Sequence, residues 1–241
     1  MNLIGQKAKN AVINKIDSKT KNKVLQKYIS LIEKNKNSII RANKKDIKFA
    51  IKKKLKNNLI DRLSLNYTKL NSVKNAIKNI INLKDPIDNI LEKWKRPNGL
   101  IIKRVSIPIG IIGVIYESRP NVTSDVSSLC FKSGNAVILR GGSEALNTNK
   151  ILATLFRKAL SLNKVDPNYV QFINNPNRKY VDYMLSKMNN QIDVIIPRGG
   201  KNLVKKVQDI SNVPIIGHLE GICHTFVDKQ ANLKMATDII Y

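Results

Sequence analysis

The stretch NAVILRGGSEALNTNK, from Asn135 to Lys150, decides how the chain is read. Four consecutive apolar residues, Ala136 to Leu139, lack the alternation of a half-exposed strand. They fit a strand covered on both faces, as in a parallel sheet. Arg140 and two glycines end it, and a helical pattern follows over 143–160. Other apolar runs repeat the design: IGIIGVIY (109–116), YVQFI (169–173), IDVIIP (192–197), VPIIG (213–217) and CHTFVD (223–228). Helical patterns fall between or after them at about 124–133, 177–188, 199–210 and 230–240. This alternation predicts an α/β fold with a doubly wound, mostly parallel sheet over 109–241.

Upstream the pattern changes. Apolar residues recur at helical spacing through residues 23–50 and again in LSLNYTKLNSVKNAIKNIINL (63–83). An N-terminal helical segment is expected over 1–86, with Ser64 or Asn66 capping its last helix and Pro86 stopping propagation. Residues 87–108 read as two extended segments joined by a turn at RPNG (96–99).

The chain of 241 residues has a net charge of +26, which invites a nucleic-acid reading. The excess is mostly lysine, and Asn and Ile are also heavily used, as A/T-rich codons alone would produce. Residues 1–100 hold 25 Lys and Arg against 7 Asp and Glu, so the excess sits on the helical segment. Solvated lysines are the ordinary reading there. The aromatic residues are not interleaved with basic ones for base stacking, so no nucleic-acid partner is expected. The apolar run 99–116 is broken by Lys103, Arg104, Ser106 and Pro108, short of the ~20 residues of a membrane helix. No signal peptide is read, and two cysteines make no disulfide framework. A cytoplasmic protein is expected.

Two places share one layout: VILRGGSEALNTNK and VIIPRGGKNLVKKV (194–207). In each a buried strand meets an arginine, two glycines and a helix. Exposed N–H groups at a helix start attract anions, and glycine lets a ligand come close. The residues Arg140, Gly141, Gly142, Gly199 and Gly200 therefore suit a phosphate or dinucleotide at the carboxyl edge of the sheet. The same glycines would also serve as plain tight turns. Neither place is a P-loop or a regular GxGxxG. Only nine residues are arginine, and Arg104, Arg119, Arg140 and Arg198 fall at strand ends or beside glycines. Arginine suits a site that wants a rigid, forked donor.

The segment IPIGIIGVIYESRPNVTSDVSSLCFKSGNAVILRGGSEALNTN (107–149) resembles the signature region of the gamma-glutamyl phosphate reductases, also called glutamate-5-semialdehyde dehydrogenases, a branch of the aldehyde dehydrogenase superfamily. NNPNR (174–178), IDVIIPRGGKNLV (192–204), VPIIGHLEGICHTFVD (213–228), DRLSLNYTKL (61–70) and NLKDPI (82–87) continue the likeness over nearly the whole chain. The resemblance implies NADPH as cofactor. Arg140 then falls where the superfamily has a cofactor-contacting lysine, in reach of the adenosine ribose or its 2′-phosphate. Gly199 and Gly200 match the turn under the pyrophosphate. Glu220 matches a superfamily segment near the nicotinamide. Arg119 and Asn121 match groups near the reacting carbonyl, which would hold the acyl phosphate or its oxyanion.

The family reaction implied is reduction of gamma-glutamyl phosphate to glutamate 5-semialdehyde, for proline biosynthesis, through a cysteine thioester. The resemblance also implies a homo-oligomeric full-length enzyme coupled to glutamate 5-kinase. No catalytic residue is assigned within this chain. Cys130 reads as a buried structural thiol. Cys223 and His224 would point to opposite faces if 223–228 were a strand. His218 and His224 form no metal-ligand spacing, so no metal is expected. ANLKMATDIIY (231–241) has Leu233, Ala236, Ile239 and Ile240 at helical spacing, with no closing residue. A chain truncated before its catalytic cysteine, inactive alone, is the expectation. A non-catalytic nucleotide-binding remnant or pseudoenzyme shares the same motifs.

Overall fold

The computed structural model of the chain describes residues 1–217 and 223–241. Five helices lead: α1 (Asn2–Val12), α2 (Ser18–Lys34), α3 (Lys36–Lys52), α4 (Asn57–Leu63) and α5 (Tyr67–Asn82). Asn66 is the N-cap of α5, its side chain accepting from Lys69 N. Of the two expected caps it is the one used, because Ser64 instead ends α4. An antiparallel hairpin follows, β1 (Ile90–Lys95) and β2 (Ile101–Val105). Its turn closes through Arg96 N donating to Leu100 O and Gly99 N donating to Arg96 O.

The α/β part then runs β3 (Ile111–Tyr116), α6 (Pro120–Lys132), β4 (Ala136–Gly141), α7 (Leu146–Leu162), β5 (Val170–Phe172), α8 (Lys179–Lys187), β6 (Val194–Arg198) and α9 (Lys201–Ile210). The four strands form a parallel sheet in the order β5-β4-β3-β6. The chain builds outward from β3 to β5, then returns to lay β6 on the other side of β3. That reversal opens a crevice at the carboxyl ends of β3 and β6. Tyr116 pairs with Gly141 on one side and Arg198 on the other. The ESRP turn and both Gly-Gly turns therefore leave the sheet side by side.

Every residue of β3 and β4 is buried. Successive side chains point to opposite faces, so both faces are covered. Helix α1 lies across β3, β4 and β5, while α6 packs on β4, α7 on β5 and α9 on β6. A second helical layer, α2, α3 and α5, packs on α6 and α7. Rings tie the layers together. Tyr28 of α2 meets Phe156 of α7 at 4.6 Å, and Phe156 meets Phe131 of α6 at 5.9 Å. One apolar core runs from Ala8 to Val213, so the helical segment and the sheet bury the same surface.

Three segments depart from the sequence reading. Residues 213–217 make only a bridge, Ile195 to Ile215, and no strand, because Pro214 cannot donate to a ladder. Residues 223–228 form no strand; Phe226 is 87% exposed, so no face buries them. The final helix is shorter than expected, α10 (Leu233–Ile240), and none of its residues is buried.

The helix after the first glycine pair also starts late. Residues 143–145 form a 3-10 turn and α7 begins at Leu146. Its first N–H groups are already occupied. The buried carboxylate of Asp46, on α3, accepts from Asn147 N, Asn147 Nδ2, Thr148 N and Thr148 Oγ1 at 2.6–3.1 Å. A residue 101 positions away caps the helix. Asp46→Ala is expected to lower the unfolding free energy by about 2–4 kcal/mol, since it strands buried donors at a helix start. Urea denaturation followed by circular dichroism checks it: an unchanged midpoint would show that the cap contributes nothing.

Candidate functional site

A cleft of about 440 Å³ opens at the carboxyl end of the sheet, lined by Tyr116, Glu117, Ser118, Arg140, Gly142, Ser143, Glu144, Arg178, Asn202 and Lys206 among others. That size suits a small-molecule site. The first two residues of the ESRP turn, Glu117 and Ser118, form part of its wall. Ser118 has φ of 39°, a left-handed conformation unusual for a residue with a side chain. It is fixed there by Glu144, whose Oε1 accepts both Ser118 N (2.7 Å) and Ser118 Oγ (2.9 Å). Tyr116 below is locked by its hydroxyl donating to Thr123 Oγ1, which donates to Asn149 Oδ1.

Arg140 is the most unusual group in the cleft. It is 8% exposed, Nη2 donates to Pro176 O at 2.8 Å, and Nε has no partner. Burial pushes its pKa down, while Glu144 opposes that and Arg178 adds to it. A buried guanidinium with spare donors is costly unless an anion meets it. Arg178 stands nearby as a second guanidinium. Lys206 adds an ammonium, paired with Asp182 at 2.7 Å.

The four glycines differ in what they do. A Cβ on Gly141 would strike Asn149 Nδ2 and the Tyr116 ring, so its bareness serves internal packing. Gly142 lines the cleft, and a Cβ there would strike the Glu144 carboxylate. At the second turn a Cβ on Gly199 would meet Glu117 Oε2 and Leu203. A Cβ on Gly200 would face open space, with only Glu117 Oε2 near it, at 3.9 Å. Gly200 N donates to that same carboxylate oxygen at 2.9 Å. The start of α9 thus holds a displaceable anion, whereas the start of α7 holds a buried one.

Glu220, expected near the nicotinamide, lies outside the described residues, as does His218. Arg119 and Asn121 do not line the cleft. They sit just beyond it on the same turn, with Asn121 Nδ2 donating to Asp125 Oδ2 at 3.0 Å. Burial lowers the pKa of Arg119, and Arg198 and Arg62 lower it further. Glu117, Glu144, Arg178 and Lys206 were not singled out from the sequence. Glu117, Glu144 and Arg178 stand within stretches that carry the resemblance, but only the fold shows that they face one space.

No protein-family model matches the chain. Individual proteins do. The gamma-glutamyl phosphate reductase of Clostridium tetani is 46% identical over 238 residues, which are 98% of this chain and 55% of that protein. The Enterococcus faecalis reductase is 42% identical over 239 residues, 98% of this chain and 57% of its own length. The crystal structure of gamma-glutamyl phosphate reductase from Thermotoga maritima superposes with a TM-score of 0.92 at 38% identity, covering 99% of this chain and 58% of that one. Over nearly its whole length the chain is similar to the gamma-glutamyl phosphate reductases. It spans a little over half the length of the curated relatives it matches. A probable aldehyde dehydrogenase from Listeria monocytogenes, 15% identical with a TM-score of 0.67 over 90% of this chain and 45% of its own, shares the fold.

Neither cysteine lines the cleft. Cys130 is buried on α6, and burial pushes its thiol pKa up to about 12. It is a thiol, not a thiolate, at neutral pH, and so a poor nucleophile. Cys223 is exposed, and with 223–228 unpaired the expected strand alternation between Cys223 and His224 does not arise. Among the described residues no His, Cys, Asp and Glu group could hold a metal ion, and no helix is long and apolar enough to cross a membrane. Ellman's reagent is expected to titrate Cys223 rapidly in the folded chain and Cys130 only after denaturant is added. Rapid labelling of both thiols in buffer would show that Cys130 is accessible.

Proposed function

We propose that the chain binds NADPH in this cleft and acts, as part of a gamma-glutamyl phosphate reductase, in reducing gamma-glutamyl phosphate to glutamate 5-semialdehyde. The observation that carries the cofactor assignment is Arg140: nearly buried, short of partners and beside a second arginine. A 2′-phosphate supplies the charge such a pair lacks, which favours NADPH over NADH. Glu144 uses Oε1 on Ser118, leaving Oε2 to accept a ribose hydroxyl. The pyrophosphate would lie against Gly200 and the start of α9, displacing Glu117 from the amide. Bound there, the cofactor supplies hydride. Arg119 would hold the acyl phosphate or its developing oxyanion beside the turn, with Asn121 orienting it. The family reading extends to a cytoplasmic homo-oligomer acting on the product of glutamate 5-kinase.

A second reading, a nucleotide-binding chain without catalysis, draws on one observation: no described cysteine lines the cleft. Oxidation of NADPH by the purified chain on gamma-glutamyl phosphate would support the reductase reading.

The cofactor assignment is tested by NADPH fluorescence titration of the chain and three variants. Gly200→Ala adds a methyl group into open space, so stability should hold while affinity falls about tenfold or more. Arg178→Gln, an exposed change, should weaken NADPH more than NADH. Glu117→Gln should tighten NADPH roughly threefold to tenfold by removing a competing carboxylate. Equal affinity in all three would overturn the placement.

A further inference from the structure

Five of the nine arginines stand around the carboxyl edge of the sheet, and they fall into two groups. Arg140 and Arg178 face the cofactor cleft. Arg119 and Arg198 do not line it. Arg62 lines a second cavity, of about 300 Å³, together with Pro120 and Asn121 of the turn after β3. Arg119 is the N-cap of α6. Arg198 ends β6 beside it, paired with Tyr116, and its carbonyl accepts from Glu117 N at 3.2 Å. Arg62 arrives from the last turn of α4, in the other half of the chain.

This second group of Arg62, Arg119 and Arg198 has no anion. None of the three guanidinium groups makes a hydrogen bond or ion pair among the described residues. In the first group, Glu144 and Glu117 act against the lowering of the Arg140 pKa by burial. No carboxylate does so for Arg119: burial lowers its pKa, and Arg198 and Arg62 lower it further. Asp125 carries the only carboxylate among the residues lining the second cavity, and it does not serve. Its Oδ2 accepts from Asn121 Nδ2, its Oδ1 is sealed from solvent with no partner, and burial pushes its pKa up. Lys69 adds a positive charge to the same cavity, with Nζ donating to the neutral carbonyls of Asp61 and Ser64 at 2.7 and 2.9 Å. The start of α6 adds a partial one, because it has no side-chain cap and no acidic residue in its first turn. Three guanidinium forks, an ammonium and a helix start thus border one turn with no anion to answer them.

What the cluster lacks sets its ligand. Like charges held close cost free energy until a counter-charge joins them. A carboxylate presents two oxygens, and a single bidentate arginine uses both. A phosphoryl group carries about two negative charges on three strong acceptor oxygens, enough to engage several forks at once. We infer that Arg62, Arg119 and Arg198, at the start of α6, form a binding site for a phosphoryl dianion. This rests on the proposed reductase reading and deepens it. Arg62 and Arg198 join Arg119 as specificity residues that select an acyl phosphate over the corresponding free acid. Inorganic phosphate, which that reaction releases, is then a ligand of the same site.

The test uses the 241-residue chain, with inorganic phosphate and acetyl phosphate as probes and acetate as control, at constant ionic strength. Titration calorimetry should show both phosphates binding, and acetate at least about tenfold more weakly. Arg62→Gln and Arg198→Gln should each weaken phosphate about tenfold or more. Arg62→Lys keeps the charge but not the fork, and should lose less than Arg62→Gln. Arg62 is exposed and unbonded, so its variants leave the core untouched. NADPH affinity should be the same with and without saturating phosphate, because the cofactor's 2′-phosphate is assigned to Arg140 and Arg178. The inference is overturned if neither phosphate binds, if acetate binds equally well, or if either Arg→Gln variant binds phosphate as the parent chain does. Competition between phosphate and NADPH also overturns it, by placing the phosphate in the cofactor cleft. NADPH binding without phosphate binding removes this site and leaves the cofactor cleft, and the reverse result does the opposite.

Discussion

Both faces of the four-stranded parallel sheet must be covered, and the rest of the molecule follows from that. A strand such as β3, buried along its whole length, leaves water only at its ends. The helices of its own α/β units do not finish the job. The first half of the chain adds α1 across the sheet and a layer of α2, α3 and α5 outside α6 and α7. Polar contacts then lock that layer in register. Tyr28 OH and Ser124 Oγ lie 2.7 Å apart, and Lys132 Nζ donates to Asn22 Oδ1 and Ile81 O. Lys21 and Asp85 form an ion pair at 2.9 Å, with the lysine side chain only 4% exposed. Each contact joins residues far apart in sequence, so the helical layer fixes the sheet's helices as firmly as they fix one another.

The same constraint drives chemistry to the carboxyl edge. There the chain must turn sharply out of a sealed sheet, and the ESRP turn does so with Ser118 at a positive φ. Local strain of this kind persists only when neighbours hold it, and Glu144 does so through two hydrogen bonds. The two Gly-Gly turns flanking β3 resemble each other as sequence but have become different devices. At α7 the helix start is sealed by the buried Asp46. At α9 it is answered by Glu117, which is exposed. An incoming anion can replace an exposed carboxylate far more cheaply than a buried, fully bonded one.

Likeness to the gamma-glutamyl phosphate reductases extends over nearly all of this chain and a little over half of its relatives. Within that span the helical layer is more than cover. It brings Arg62 and Lys69 to the turn after β3, where α6 contributes Asn121 and Asp125. Two cavities thus share one turn, with walls drawn from both halves of the chain.

Much of this was legible in the residues. Consecutive apolar runs marked β3, β4 and β6, because a strand covered on both faces cannot alternate. Helical spacing marked the first 83 residues, and Arg140 and the glycine pairs marked the edge of the sheet. Other features had no local signal. In VPIIG the local obstacle is Pro214, which cannot donate to a ladder; nothing in CHTFVD distinguishes a covered strand from an uncovered one, and only the sheet's extent decided that it would not pair. Asp46 reads as one more polar residue on a lysine-rich helix until folding sets it under α7. Arg62 and Asp125 are 63 positions apart, and Glu117 and Gly200 are 83 apart. The sequence by itself determined most of the strands and helices, since hydrophobic periodicity is a local demand. Which charged groups share a cavity, and which stay unmatched, was decided by the tertiary structure alone, because electrostatic pairing depends on distance in space.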